Sequence, residues 1–284
     1  MSQQHLEVRE LAAWGYDPQP GRGSLASEQL EDAAREAQRR LAMREPYEAE
    51  SPVSAEECGF PPCALEERCK PVADSGEFEA LNWRLDLVDL RKLIAFQRRV
   101  GFARGDGFQT GEMNSWRNLL DLALPTTCAS ASHAFSAAPD GKSLTIRTLS
   151  PNLAIRFARE PGSRLDAVRL VAQVRSPFVE VASYRGRWFL RDGYHRAFLL
   201  LKQGIFHLPA VVICTETLAE LGAVGQWFFA EDVLFSARPP MVTDFLDDKM
   251  VVRFSRPRAE KVVQISIQEL REPALSACLE GKNP

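Results

Sequence analysis

The sequence predicts a mixed α+β protein. Residues 27–44 have the periodicity of an amphipathic helix, whereas short runs at 144–148, 178–191 and 210–214 are typical of strands. A change from strand to helix is indicated across residues 187–204. The chain has 284 residues, of which 45% are hydrophobic and 26% charged, so it can bury one or two hydrophobic cores.

The first 80 residues form an acidic segment. They carry 17 acidic and 8 basic residues, a net charge of −9, while residues 81–284 carry +6. We expect residues 1–25 to be irregular and residues 27–44 to form an amphipathic helix. The five prolines of residues 45–80 indicate a linker. Residues 1–80 are therefore predicted to be an N-terminal arm with one helix, which docks on its own domain or on a protein partner.

Residues 81–142 are predicted to lead into the next segment with a strand and a helix. The alternation from Trp83 to Leu87 is typical of a strand with one buried face. Asp89 is a candidate cap for a helix that reaches Val100. Residues 101–142 show no steady period, so their fold is left open.

The clearest alternation of elements lies in residues 143–216. The pattern predicts a strand, a helix opened by a Ser–Asp capping pair, a hairpin, a second helix ended by a glycine, and a final strand. These elements are expected, in order, at residues 144–148, 163–174, 178–191, 194–203 and 210–214. Residues 217–284 are predicted to add a capped helix, strands and a short last helix.

Basic residues are concentrated near the hairpin. Residues 143–202 hold eleven basic and four acidic side chains, a net charge of +7, and ten of the eleven are arginines. A segment of this kind attracts phosphates or carboxylates, and arginine can hold a phosphate through two hydrogen bonds. Because the whole chain prefers arginine to lysine, the composition alone leaves the anion site open.

The most informative motif is Asp192-Gly193-Tyr194-His195-Arg196, between a predicted strand and a predicted helix. Glycine permits a sharp turn and a close approach of the backbone to a ligand. The residues after it would form the first helical turn, where N–H groups and the positive end of the helix dipole attract anions. The motif therefore predicts a phosphate site.

This motif and its surroundings resemble the ParB/sulfiredoxin-like superfamily. The similarity runs from Trp188 through the Gly193 turn to Gly204 and Val212, and an upstream Pro151-Asn152 with Arg156 resembles the segment that opens such domains. It covers about residues 143–216. The resemblance implies a small mixed sheet with packed helices.

The resemblance also implies the site residues. It assigns phosphate binding to Gly193, Tyr194, His195 and Arg196, catalytic roles to Asp192 and His195, and supporting positive charge to Arg156 and Arg191. Members of the superfamily bind nucleotides, so Mg²⁺ with ATP or CTP is the implied cofactor set. No separate metal site is expected.

Two departures from the superfamily narrow the function. Tyr194 stands where sulfiredoxins carry their catalytic cysteine, which argues against sulfinic-acid reduction. Residues 217–284 show no helix-turn-helix pattern, which argues against recognition of a specific operator.

Three functions remain open on this basis. The first is nucleotide or phosphate-ligand binding, as a phosphotransferase or a nucleotide-gated switch. The second is a ParB-like nuclease or nucleic-acid-binding protein, and the third is a non-catalytic protein-interaction module using helix 27–44. A kinase-type member needs a further acidic base, for which Glu160 and Glu180 are the candidates.

The remaining signals concern location and metals. The chain opens Met-Ser-Gln-Gln-His without an apolar run, so we expect a cytoplasmic protein and no membrane segment. Cys58, Cys63 and Cys69 are spaced more widely than the pairs typical of structural zinc, and no histidine lies near them.

Overall fold

The computed structural model describes most of the chain, in two compact units. The described residues are 5–16, 25–54, 60–103, 115–126, 133–148, 153–159, 168–174, 178–223, 225, 227–258 and 260–266. The first unit combines Met1–Cys128 with Ser176–Arg258, and the second combines Ala129–Arg175 with Ala259–Pro284.

The described residues contain six α-helices and thirteen strands, which confirms the mixed α+β class. The helices are α1 (Ser27–Met43), α2 (Pro62–Asp74), α3 (Trp116–Ala123), α4 (Tyr194–Lys202), α5 (Leu218–Leu221) and α6 (Glu231–Leu234). The strands are β1 (His5–Leu11), β2 (Asn82–Asp89), β3 (Ile94–Ala95), β4 (Arg99–Ala103), β5 (His133–Ala137), β6 (Ser143–Thr148), β7 (Leu153–Arg159), β8 (Val168–Val174), β9 (Glu180–Tyr184), β10 (Arg187–Asp192), β11 (His207–Cys214), β12 (Val251–Pro257) and β13 (Lys261–Ser266).

A five-stranded sheet forms the centre of the first unit. Its spatial order is β2-β11-β9-β10-β3. Strand β9 is parallel to β11 and antiparallel to β10, and β10 is parallel to β3. The β9–β10 connection is a two-residue turn in which Arg185 and Gly186 both have positive φ, as the twist of a tight hairpin requires. The predicted hairpin is therefore confirmed.

A second sheet of the first unit has the order β12-β1-β4, with both pairs antiparallel. The expectation of irregular structure for residues 1–25 is wrong for β1. Val8 and Leu11 are fully buried, and backbone pairing on both sides holds this strand in the middle of its sheet. Only three of its seven residues, Leu6, Val8 and Leu11, are apolar, and this pattern was too short to reveal the strand.

Helix α1 confirms the predicted amphipathic helix and packs within its own unit. Leu30 and Ala33 pack against a buried cluster of the second sheet, formed by Val8, Val252 and Phe254. Two arginines at its C-terminal end bind the segment that precedes β12: Arg40 pairs with Asp247, and Arg44 pairs with Asp244. Its apolar face is thus occupied by the chain itself.

The helix predicted to start at Asp89 is wrong. The Asp89 side chain accepts a hydrogen bond from the Arg91 backbone N–H at 3.0 Å, but it caps only a 3₁₀ turn, Leu90–Lys92. The chain then enters β3 and β4. Backbone pairing with β10 and β1 outweighs the helical spacing of the apolar residues.

The linker predicted for residues 45–80 contains a helix, α2. Pro62 stands in its first turn, where the missing proline N–H costs no hydrogen bond. Buried Ala64 and Val72 attach the helix to the main core. Two of the prolines that indicated a linker, Pro61 and Pro62, therefore mark a helix start instead.

The second unit contains two small sheets, of order β13-β6-β5 and β7-β8. The strand predicted near residues 144–148 is confirmed as β6. The helix predicted through residue 174 is wrong, because residues 168–174 form β8. Val168, Leu170, Ala172 and Val174 alternate with other residues, so the period of two was the correct signal. The proposed capping pair Ser163–Asp166 and the short last helix lie outside the described residues.

These two units cut across the four segments predicted from the sequence, 1–80, 81–142, 143–216 and 217–284. Strand β2 pairs with β11 along its whole length, so the central sheet takes its outer strand from before residue 90. Residues 143–175, predicted to open the domain that holds the motif, belong to the second unit.

The pair between Arg44 and Asp244 is expected to be a main attachment of α1. Arg44 Nη1 donates to both carboxylate oxygens of Asp244 at 2.9 Å, and burial raises the pKa of Asp244 while Arg44 opposes that rise. Asp244→Ala should lower the free energy of unfolding by about 3 kcal/mol, because it leaves a half-buried cation without its partner. Urea denaturation measures the loss.

Arg40→Ala is the matched control, since its pair with Asp247 is solvent-exposed and should be worth about 0.5 kcal/mol. Equal losses in the two variants would contradict the assigned importance of the buried pair.

Candidate functional site

The predicted motif lies where the central sheet passes into α4. Strand β10 ends at Asp192, Gly193 makes the turn, and Tyr194 is the first residue of the helix. The pairing of β10 with β9 shifts register between Leu190 and Asp192. Such an irregularity redirects the end of a strand, and here it brings Asp192 opposite Glu180.

Gly193 is required at this turn by its backbone and by its surroundings. Its φ is 97°, in the left-handed region that favours glycine. A Cβ at this position would lie 3.0 Å from Val179 Cγ2 and 3.3 Å from Arg196 Nη2. The chain therefore turns closely against the start of β9, with the Arg196 guanidinium beside it.

Tyr194 is a core residue rather than a ligand-binding side chain. It is 4% exposed, and its hydroxyl accepts hydrogen bonds from the backbone N–H groups of Phe96, at 3.1 Å, and Gln97, at 3.4 Å. Burial raises its pKa. The side chain of Tyr194 therefore cannot serve the predicted phosphate-binding role, to which only its backbone N–H could contribute.

Arg196 is brought to the turn but is engaged with the backbone. Its Nη1 donates to the carbonyl of Leu122 at 3.1 Å, and its Nη2 donates to the carbonyl of Phe178 at 2.9 Å. Burial lowers its pKa, and the carboxylates of Asp192 and Glu180 raise it. Arg196 thus joins α4 to the end of α3 and to the entry of β9, and its charge lies under the turn.

Asp192 and His195 are the exposed side chains of the motif. The Asp192 carboxylate accepts a hydrogen bond from the Gly193 backbone N–H and remains exposed to solvent. The His195 ring stands edge-on to Phe102, with 5.1 Å between ring centroids. These two predicted catalytic residues therefore flank the first turn of α4 on the solvent side.

A buried ion pair lies behind the turn. Arg191 of β10 pairs with Glu180 of β9, whose side chain is 7% exposed. Burial raises the pKa of Glu180 to about 7, Arg191 lowers it in part, and Asp192 and Glu77 raise it further. Of the two acids considered from the sequence, Glu180 lies beside the motif, whereas Glu160 lies outside the described residues.

Arg156, predicted to support the site, belongs to β7 in the second unit. Its side chain is outside the described residues, as are Pro151 and Asn152. Arg191, the other supporting residue, is at the turn, and its Nε is buried without a hydrogen-bond partner.

Among the residues that the structure describes, no group of three or more His, Cys, Asp or Glu side chains is placed to hold a metal ion. Cys63 and Cys69 are exposed free thiols of α2, and Cys58 is outside the described residues.

Within the described ranges, no helix combines the length and the apolar character needed to cross a membrane.

Comparisons of the chain with protein-family models, curated proteins and solved structures gave no significant match.

Gly193→Ala should destabilise the protein by about 1–3 kcal/mol, because it adds backbone strain and a contact with Val179. Thermal or urea unfolding measures the change. Gly204→Ala is the matched control: its φ is also positive, 79°, but a Cβ there meets no atom within 4 Å. We expect the control to lose about 1 kcal/mol from strain alone. Equal losses would show that the approach to Val179 does not constrain the turn.

Glu180 should make stability depend on pH. Its pKa of about 7 in the folded protein exceeds the ordinary value, 4.5, so between these values the folded state binds a proton that the unfolded state has lost. This contribution is present below pH 4.5 and is lost as pH rises through 7. Glu180→Gln mimics the protonated form, so the unfolding free energy of this variant should rise relative to the wild type between pH 5 and pH 8.

Urea unfolding of the two proteins at pH 5, 6, 7 and 8 measures this difference. A difference that stays constant with pH would contradict the raised pKa. Glu48→Gln is the control for the general effect of removing a charge, because Glu48 is exposed and is not among the groups that shift the pKa of Glu180.

Proposed function

We propose that the chain binds a nucleotide or another phosphate-bearing ligand at the turn from Asp192 to Arg196. The observation that carries the proposal is the left-handed Gly193 directly before the first turn of α4. The first N–H groups of a helix have no partners within the helix, and the helix dipole adds positive potential there. The left-handed turn at Gly193 starts the helix directly after β10, so these N–H groups lie beside the exposed side chains of Asp192 and His195.

The side chains around the turn suit this ligand. The exposed His195 can donate a hydrogen bond to a phosphate oxygen from the first turn of α4. The exposed Asp192 carboxylate can share a Mg²⁺ ion with phosphate oxygens or accept a proton from a hydroxyl group. Both roles agree with those implied by the resemblance to the ParB/sulfiredoxin-like superfamily.

The buried charges behind the turn support an anion there. Asp192 and Glu180 are the two carboxylates that act on the charge of Arg196, so protonation of Glu180 leaves Asp192 to oppose it while Arg191 stays charged. An anion at the turn is then favoured by the local potential. Arg196 acts in this proposal through its charge and position, because two of its N–H groups are engaged with Leu122 and Phe178.

The proposed ligand set is ATP or CTP with Mg²⁺, and the proposed activity is phosphoryl transfer or a nucleotide-gated change of state. In the phosphoryl-transfer case Asp192 is the candidate base for the acceptor hydroxyl. Glu180 is too buried to contact an acceptor and would act by setting the charge at the turn.

Calorimetric titration of ATP, CTP and GTP, with and without Mg²⁺, tests the proposal. We expect one nucleotide to bind the wild type. His195→Ala should weaken binding about tenfold, because it removes a charge-assisted donor. Asp192→Asn keeps an oxygen for the Gly193 N–H and should weaken only the Mg²⁺-dependent part of the affinity. Arg196→Ala is unsuitable here, because it leaves two backbone carbonyls without their donor.

His207→Ala is the matched control, since His207 lies beside Asp89 and takes no part in the motif. Absence of binding to all three nucleotides, or equal losses in His195→Ala and His207→Ala, would overturn the proposal.

A further inference from the structure

A groove separate from the turn runs along one face of α4. One wall is formed by the second and third turns of α4, and the other by β1, β4 and β12. Its cavity has a volume of about 380 Å³, within the range of small-molecule sites. The lining residues are Glu7, Arg9, Phe102, Phe198, Leu199, Lys202, Leu246, Asp248 and Arg253.

The apolar part of this α4 groove is built from aromatic rings. Phe102 and Phe198 pack with 4.7 Å between ring centroids, and the Arg9 guanidinium lies 5.3 Å from the Phe198 ring centre. Leu199 and Leu246 extend the apolar surface. A flat ring would gain both apolar burial and contact with the aromatic faces here.

The polar part of the groove has more cations than anions. Arg9, Lys202 and Arg253 face two carboxylates, Glu7 and Asp248. Arg9 and Arg253 both pair with Asp248 and hold its pKa low, at about 2. Two cations are thus compensated by one carboxylate, and Lys202 makes no ion pair with any residue that the structure describes.

Arg9 supplies a donor from inside the groove. Its side chain is 8% exposed. Its Nε donates to the Phe245 carbonyl at 2.7 Å and its Nη2 to Asp248 at 2.6 Å. Its Nη1 makes no hydrogen bond with any residue that the structure describes, and Arg9 lines the cavity, so we expect Nη1 to be the donor for a ligand oxygen. These contacts also fix the guanidinium, which lowers the entropy lost on binding.

We propose that the α4 groove binds a small organic acid with one carboxylate and a flat aromatic body. The ring lies against Phe102 and Phe198, and the carboxylate is held by Arg9 Nη1 and Lys202, with Arg253 at the rim. The site uses none of the residues assigned to the phosphate turn, so it does not depend on the proposed nucleotide function.

Pairs of ligands with the same shape but different charge test this proposal. The probes are phenylacetate and indole-3-acetate, with phenylacetamide and indole-3-acetamide as neutral partners, and acetate and orthophosphate as anions without a ring. Calorimetry and ligand-observed NMR on the full chain measure binding. We expect the affinity of each aromatic acid to be at least about ten times that of its amide, because only the acid forms the charged contacts. Acetate and orthophosphate should bind more weakly still.

Variants then test whether the ligand binds in the α4 groove. Lys202→Gln should weaken binding of the aromatic acids about fivefold, since it removes one partly solvated ionic contact. Lys249→Gln, which changes a lysine outside the groove, should leave binding unchanged. Asp192→Asn should also leave it unchanged, which separates this site from the proposed nucleotide site.

Four outcomes would overturn the proposal. They are no binding of either aromatic acid, equal affinity for an acid and its amide, equal affinity for phenylacetate and orthophosphate, and equal effects of Lys202→Gln and Lys249→Gln.

Discussion

The first turn of α4 is held in place by two side chains that point back into the protein. Arg196 bonds to the carbonyls of Leu122 and Phe178, and Tyr194 accepts hydrogen bonds from the backbone of Phe96 and Gln97. These contacts join the helix to α3, to the entry of β9 and to the segment after β3. An unpaired buried carbonyl or hydroxyl costs about 1–3 kcal/mol, so each contact resists movement of the turn. The exposed surface of the motif is defined by this buried framework.

The same framework determines what the site can offer a ligand. Because Tyr194 and Arg196 are engaged below the turn, the solvent side of the motif presents the side chains of Asp192 and His195. Behind it, burial raises the pKa of Glu180 to about 7, so this carboxylate compensates less of the charge of Arg191 near neutral pH. In the function that we propose, an anion would therefore bind to the first-turn backbone with these charges behind it, and not to a cluster of arginine side chains.

Helix α4 presents two different surfaces along its length. Its N-terminal end meets the central sheet at Gly193, and its later turns face the β12-β1-β4 sheet across the groove of Phe102 and Phe198. His195 lies between these surfaces, edge-on to Phe102. The position of β1, which sequence patterns failed to reveal, creates the second surface.

Local signals in the sequence determined several features of this protein. Short patterns predicted the features that depend only on neighbouring residues. These are the hairpin turn at Arg185-Gly186, the glycine turn before α4, the amphipathic α1 and the helix α5, which is capped by Thr217. The tertiary structure alone decided the rest. Pairing with the distant strands β10 and β1 made strands of residues 94–95 and 99–103, against a helical reading of their spacing. The carbonyls that Arg196 bonds are 74 and 18 residues away along the chain. Only the three-dimensional structure therefore shows that its guanidinium donates to backbone carbonyls. Residue type and spacing reveal which groups are present at the turn, but three-dimensional contacts decide which of them remain for a ligand.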